Sequence, residues 1–334
     1  VSVLLGKGDG TFHTAVYYSV GSPSNISTGD FNRDSVLDLA VDGWAVMMGN
    51  GDGSFADPVN VNGGTDGCLV ADFTGDGIVD LISSLSIGEV WLTAGNGDGT
   101  FASSTLAYDA GYYAVPVCSG DLDGDSDQDL LLISDTAILV LLNNGGGTFS
   151  YSDSYNPGDP QDIVLADFNN DSIPDMAVSN YSSGNVSILY GNGDGTFKAP
   201  ANFPAGGGPS ALFAADLNED SLLDIAVTNL DTNSVSVLDG RSSWSQDQVY
   251  YGDVSSDFGI SVNNVCAGHF DDDDNLDIAF TFSEGFNYGL SVHCGNGNGS
   301  FTRVSEYPAG LNPSELIPGD FDGDSKMDLA YMDM

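Results

Sequence analysis

The sequence predicts an all-β fold: a seven-bladed β-propeller of four-stranded blades, its ring closed by N- and C-terminal strands that share one blade. Three observations carry this. A nine-residue acidic loop recurs seven times, beginning at Asp30, Asp72, Asp121, Asp167, Asp216, His269 and Asp320, at spacings of 42, 49, 46, 49, 53 and 51 residues. A period in that range is what a four-stranded propeller blade occupies. A glycine-rich turn ending in an aromatic recurs in phase with the loop, as in Gly95-Asn96-Gly97-Asp98-Gly99-Thr100-Phe101. Finally, the distance from the last loop through the chain end and on from residue 1 to the first loop is 44 residues, so the repeat closes on itself.

Four segments, here strands A to D, follow one another in each period. Strand A is a short apolar run before the loop, as in Ala211-Leu212-Phe213-Ala214-Ala215. The loop leads into strand B, Asp224-Ile225-Ala226-Val227, and a polar link then leads to strand C, Val235-Ser236-Val237-Leu238, which alternates with the period of two of a strand. The glycine-rich turn joins C to D, because glycine and Asn/Asp accept the positive φ of a tight hairpin. The aromatic after it (Phe12, Phe55, Phe101, Phe149, Phe197, Phe301) is expected to pack between blades. In the fifth unit the turn degenerates to Gly240-Arg241-Ser242-Ser243 and Trp244 takes the aromatic place. The last unit, from Glu315, supplies only A, loop and B. The first twenty residues supply a C strand, a hairpin at Gly8-Asp9-Gly10 and a D strand. Residues 1–334 therefore read as one domain, its last blade formed by about 1–20 plus 313–334.

The loops carry the chemistry. Oxygen side chains stand at positions 1, 3, 5 and 9: Asp30, Asn32, Asp34, Asp38; Asp72, Thr74, Asp76, Asp80; Asp121, Asp123, Asp125, Asp129. The pattern continues with Asp167, Asn169, Asp171, Asp175; Asp216, Asn218, Asp220, Asp224; and Asp320, Asp322, Asp324, Asp328. The sixth loop has His269 before Asp271, Asp273 and Asp277. Carboxylates held about 5 Å apart repel by roughly 3 kcal/mol per pair at an effective dielectric of about 20. A hard divalent cation that takes six to eight oxygens would relieve this. The expected cofactor is Ca²⁺, at up to seven sites, with the second and sixth weakened by Thr74 and His269. An EF-hand would need a Glu at position 12 and flanking helices, whereas this set ends at position 9 and enters a strand. A phosphate-cradling loop would need a helix after the glycines, and a calcium-binding β-helix would need back-to-back nonapeptides.

Forty-nine acids against six Lys and Arg give a formal charge of −43, with an ordinary 41% hydrophobic residues. Such a surface repels nucleic acid and anionic membranes, and no run approaches the length of a membrane span. The chain opens in a strand with no signal peptide, as expected of a mature or trimmed product. Loops that need about micromolar to millimolar calcium suit a secreted, periplasmic or cell-surface protein. Cys68, Cys118, Cys266 and Cys294 show no zinc spacing and read as four buried free thiols. His13, His269 and His293 assemble no catalytic set, so the chain is not expected to be an enzyme.

The D-x-[DN]-x-D-[GS]-x-x-D loop followed by an apolar strand, together with the Gly-Asn-Gly-Asp-Gly-Thr-Phe hairpin, resembles the FG-GAP repeat over essentially the whole chain. That repeat builds the propeller of integrin α-subunits and occurs in secreted proteins and lectins. The resemblance implies Ca²⁺ bound by the A–B loops on the lower face, with position 7 adding a backbone carbonyl, here from Val36, Ile78, Asp127, Ile173, Leu222, Asn275 and Lys326. The D–A and B–C links would then form the upper face. There Trp44, Tyr112, Tyr113, Phe258, Phe286 and Tyr288 are candidates to stack on sugar rings or anchor a protein. The expected function is a non-catalytic binding module for a glycan or an extracellular protein, through carbohydrate recognition or adhesion. The alternatives are a polysaccharide-active enzyme or its accessory domain, of lyase or dehydratase type, and an integrin-like protein-binding propeller.

Overall fold

The computed structural model describes residues 1–21, 25–42, 45–61, 63–64, 66–85, 88–134, 137–240, 250–251, 261–284, 287–311 and 313–333. These form seven four-stranded antiparallel sheets. Blade 1 runs Ile26–Gly29, Asp38–Val41, Ala45–Met47, Val59–Asn60, and blade 2 runs Asp66–Ala71, Asp80–Ser84, Glu89–Thr93, Thr105–Asp109. Blade 3 is Ala114–Gly120, Asp129–Ser134, Ile138–Asn143, Phe149–Tyr155, and blade 4 is Pro160–Ala166, Asp175–Asn180, Asn185–Leu189, Ala201–Pro204. Blade 5 is Pro209–Ala215, Asp224–Asn229, Ser234–Leu238, Tyr250–Tyr251, and blade 6 is Ser261–Gly268, Asp277–Glu284, Asn287–Gly295, Phe301–Pro308.

Blade 7 takes its A and B strands from Leu316–Gly319 and Asp328–Tyr331, and its C and D strands from Ser2–Leu4 and Val16–Tyr17. Ser2, Val3 and Leu4 pair with Tyr331, Ala330 and Leu329. The ring thus closes through backbone hydrogen bonds between the two ends, which pair the edges that Ser2–Leu4 and Asp328–Tyr331 would otherwise leave open. The A strands neighbour one another around the ring, that of blade 7 meeting that of blade 1. Among the described residues no helix is long and apolar enough to cross a membrane.

The core lies between blades. Leu39, Leu81, Leu130, Ala177, Ile225, Ile278 and Leu329 on the B strands are at most 1% exposed, whereas Val16, Tyr17 and Val59 on D strands are exposed. The hairpin aromatics sit where they are expected. Phe101 packs edge-on against Phe31, Phe149 against Phe73, Phe55 against Phe321, and Phe12 tilts against Phe270. In each pair the second ring is position 2 of the preceding blade's acidic loop. Trp244 of the fifth hairpin lies outside the described residues.

Candidate functional site

Position 9 of each loop opens strand B, and its Asp is at most 1% exposed in all seven blades. One carboxylate oxygen accepts the backbone N–H of position 2: from Phe31 to Asp38, Phe73 to Asp80, Leu122 to Asp129, Phe168 to Asp175, Leu217 to Asp224, Phe270 to Asp277 and Phe321 to Asp328. The other oxygen accepts the first N–H of the C–D hairpin, from Gly49, Gly95, Asn143, Gly191, Gly240, Gly295 and Gly6 in the same blade order. The position-9 Asp is therefore a clamp between loop and hairpin, and it places both on one face. Burial raises all seven carboxyls, Asp129, Asp175 and Asp328 to about 6 and Asp224 to about 7.

The other loop positions fold the backbone around the same point. The position-5 carboxylate accepts the N–H of position 7 in every blade. The position-1 Asp accepts N–H groups of positions 4 to 6, for example Gly124 and Ser126 onto Asp121. Positions 4 and 6 of the six Asp-led loops have positive φ, as at Arg33 and Ser35 or Gly323 and Ser325. Lys326 at position 7 of the seventh loop pairs through its ammonium with Asp324, 3.3 Å away.

In blades 3 and 7 this geometry brings three carboxylates together in a group that could hold a metal ion. Donor oxygens of Asp121, Asp123 and Asp129, and of Asp320, Asp322 and Asp328, lie within 4.8 Å of one another. Loops 1, 4 and 5 keep the same fold with Asn32, Asn169 and Asn218 at position 3, and loop 2 has Thr74 there. Loop 6 departs from the others. Asp272 and Asp274, at its positions 4 and 6, are not left-handed. His269 Nδ1 donates to the Asn275 carbonyl at 3.0 Å, the oxygen that position 7 would have offered a metal.

On the opposite face the links pack on each other, as where the Asp42 N–H meets the Asn25 carbonyl. Tyr112 and Tyr113 are 53% and 45% exposed there, and Tyr288 is half-buried at the head of a C strand. Trp44, Phe258 and Phe286 lie outside the described residues. The starts of all seven A strands line a cavity of about 370 Å³ that holds Asp162 and Glu315. Burial, then the nearby Asp162 and Asp42 charges, pushes Glu315 up to about 8. Burial takes Asp162 to about 6 against hydrogen bonds from Leu212 and Ile163.

A second cavity, about 490 Å³, opens between strand D of blade 1 and, in blade 2, strand C and the hairpin segment that leads into strand D. Val59, Leu85, Trp91 and Phe101 line it with Asn60 and Ser104. The Trp91 indole N–H is held by Glu89, 3.2 Å away. Sequence reasoning missed Trp91, yet a signal was there. Counted back from the hairpin, the same place holds Ser2, Ala45, Leu139, Ser187, Ser236 and Ser291 in the other blades.

His293 is buried, stacked on Phe280 at 4.9 Å and hydrogen-bonded to Ser291; burial and then the Arg303 charge lower it to about 4. The four cysteines are free, with Cys118 only partly buried.

A family profile described as FG-GAP-like repeat matches residues 72–132, 121–178, 167–227 and 269–331, more than half of the chain. The chain belongs to the FG-GAP-like repeat family. Among solved structures, this FG-GAP chain is similar to an Agrocybe aegerita lectin described as recognising non-reducing terminal N-acetylglucosamine. The TM-score is 0.64 at 17% identity, over 92% of this chain and 89% of that one. BBS1N in complex with ARL6DN gives 0.61 at 13% identity over 94% and 93%. A Lactobacillus plantarum protein gives 0.60 at 11% identity over 88% and 85%. At these identities the likeness speaks to fold alone. No curated protein sequence matches the chain.

Proposed function

We propose that this FG-GAP propeller is a secreted or cell-surface, non-catalytic carbohydrate-binding module whose A–B loops hold Ca²⁺ as staples. One observation carries the ligand class: the cleft beside Trp91. An indole face flanked by Val59, Leu85 and Phe101, with Asn60 and Ser104 at the rim, offers a pyranose ring a flat apolar platform and polar groups for its hydroxyls. The fold shared with a GlcNAc-recognising lectin supports this reading without supplying the site. Among the described residues, the donor sets of blades 3 and 7 match calcium's preference for oxygen.

A glycan array probed in calcium, followed by titration of the best ligand, tests the proposal. The expected result is saturable binding that Trp91→Ala abolishes while the melting temperature holds. Binding unchanged in that variant, or no binding to any glycan, overturns it. A second reading, protein recognition, is favoured by Leu106, Tyr112, Tyr113 and Tyr151, each 45–53% exposed on or after the D strands of blades 2 and 3.

A further inference from the structure

We propose that the sixth blade binds a thiophilic divalent metal ion of the zinc class, not calcium, through Asp271, Asp277 and the Cys294 thiolate. The spacing of the cysteines along the chain gives no hint of this, because Cys294 reaches the loop only through sheet pairing. Donor atoms of the three residues lie within 4.8 Å of one another. They come from three segments: the A–B loop, the head of strand B and the end of strand C.

Three further observations point the same way. First, the place that Cys294 occupies, immediately before the hairpin, belongs to Leu5, Met48, Ala94, Leu142 and Tyr190 in five blades and to Asp239 in the fifth. Asp239 accepts a hydrogen bond from Asn218, position 3 of its own loop, at 3.0 Å, so a polar side chain at this place addresses the loop's donors. Second, Cys294 is 8% exposed, and its sulfur faces the two carboxylates. The blade-7 hairpin roofs it: a Cβ on Gly10, at φ +72, would fall 2.9 Å from the sulfur, and the Gly10 N–H is tied to the Phe270 carbonyl at 2.8 Å. Third, the loop has lost two oxygens of the calcium pattern, since His269 replaces the leading Asp and its Nδ1–H takes the Asn275 carbonyl.

Calcium takes oxygen ligands and has no use for sulfur. Zinc-class ions take thiolate and carboxylate together, at about 2.3 Å and about 2.0–2.2 Å, and are satisfied by three protein ligands plus water. Asp273 and His269 are exposed on the open side, which leaves a path for the ion and its water. On binding, the Cys294 S–H proton leaves to solvent and sulfur donates its electron pair to the metal, with no change of oxidation state.

The test uses the full chain in a large excess of Ca²⁺, with Cd²⁺ as the probe and its ultraviolet thiolate charge-transfer band as the readout. The expected result is one Cd²⁺ per chain, displaced by Zn²⁺, with the band lost in Cys294→Ser and retained in Cys266→Ser. Asp271→Asn should weaken Cd²⁺ uptake at least tenfold and serves if the Cys294 variant does not fold. No band in the wild type, or a band that persists in Cys294→Ser, overturns the proposal. Calcium-dependent melting is measured separately, so failure here and failure of the calcium reading are distinguishable.

Discussion

Gly195 donates its backbone N–H to the carbonyl of Leu122, 2.9 Å away across the boundary between blades 3 and 4. The same bond runs from Gly99 to Phe31, Gly10 to Phe270 and Gly53 to Phe321. Each of these four loops is therefore held on two sides: its own Asp clamp ties it to its own hairpin, and its position-2 carbonyl ties it to the next hairpin. Gly195 has φ +76, and a Cβ there would lie 2.7 Å from Leu142 Cδ2. Gly124, at φ +82 in the third loop, has nothing within 4 Å. Left-handed backbone costs a side chain about 1–2 kcal/mol. Gly195→Ala should therefore destabilise by more than Gly124→Ala in denaturant unfolding, because it adds displacement of Leu142 to that strain.

The position-9 Asp doubles as clamp and candidate donor, whereas the position-5 Asp does not reach the hairpin. Asp175→Ala strands the buried N–H groups of Phe168 and Gly191, and should cost roughly 2–4 kcal/mol already in chelator and more in calcium. Asp171 is exposed and accepts one N–H, from Ile173. Asp171→Ala should lower the melting temperature in calcium and leave the chelated protein near wild type. Equal losses for both variants in chelator would contradict the division of roles.

The two acids of the cavity at the A-strand starts set a pH dependence. The folded values of Glu315 and Asp162, about 8 and about 6, stand above their ordinary 4.5 and 3.8. The folded state thus holds more protons than the unfolded one across that window, and stability falls as pH rises through it. In saturating calcium, the wild-type melting temperature should decline from about pH 5 to about pH 8. Glu315→Gln should flatten the decline and be the more stable protein at the alkaline end. Parallel slopes would contradict this.

Much of the fold was legible because seven copies in phase fix strand, loop and hairpin together, and because the blade at residues 2–17 and 316–331 follows from the wrap of the period. The acids at positions 1, 3, 5 and 9 were legible for the same reason. What the repeat could not reveal depends on register between segments. That Asp38 and its six counterparts answer two backbone N–H groups depends on where each hairpin lands. That Cys294 meets Asp271 depends on the pairing of Ile278 with His293 in blade 6. Trp91 was passed over because an aromatic in an alternating strand looks like packing until its neighbours are known.

Thermal unfolding in saturating Ca²⁺ and in excess chelator tests the calcium-staple account most directly. At about 100 times the dissociation constant, each occupied site adds about 2.7 kcal/mol to the folded state. The account predicts a sharp fall in melting temperature on chelation, restored by added Ca²⁺ and reduced in Asp123→Ala and Asp322→Ala. An identical melt in calcium and chelator would contradict it.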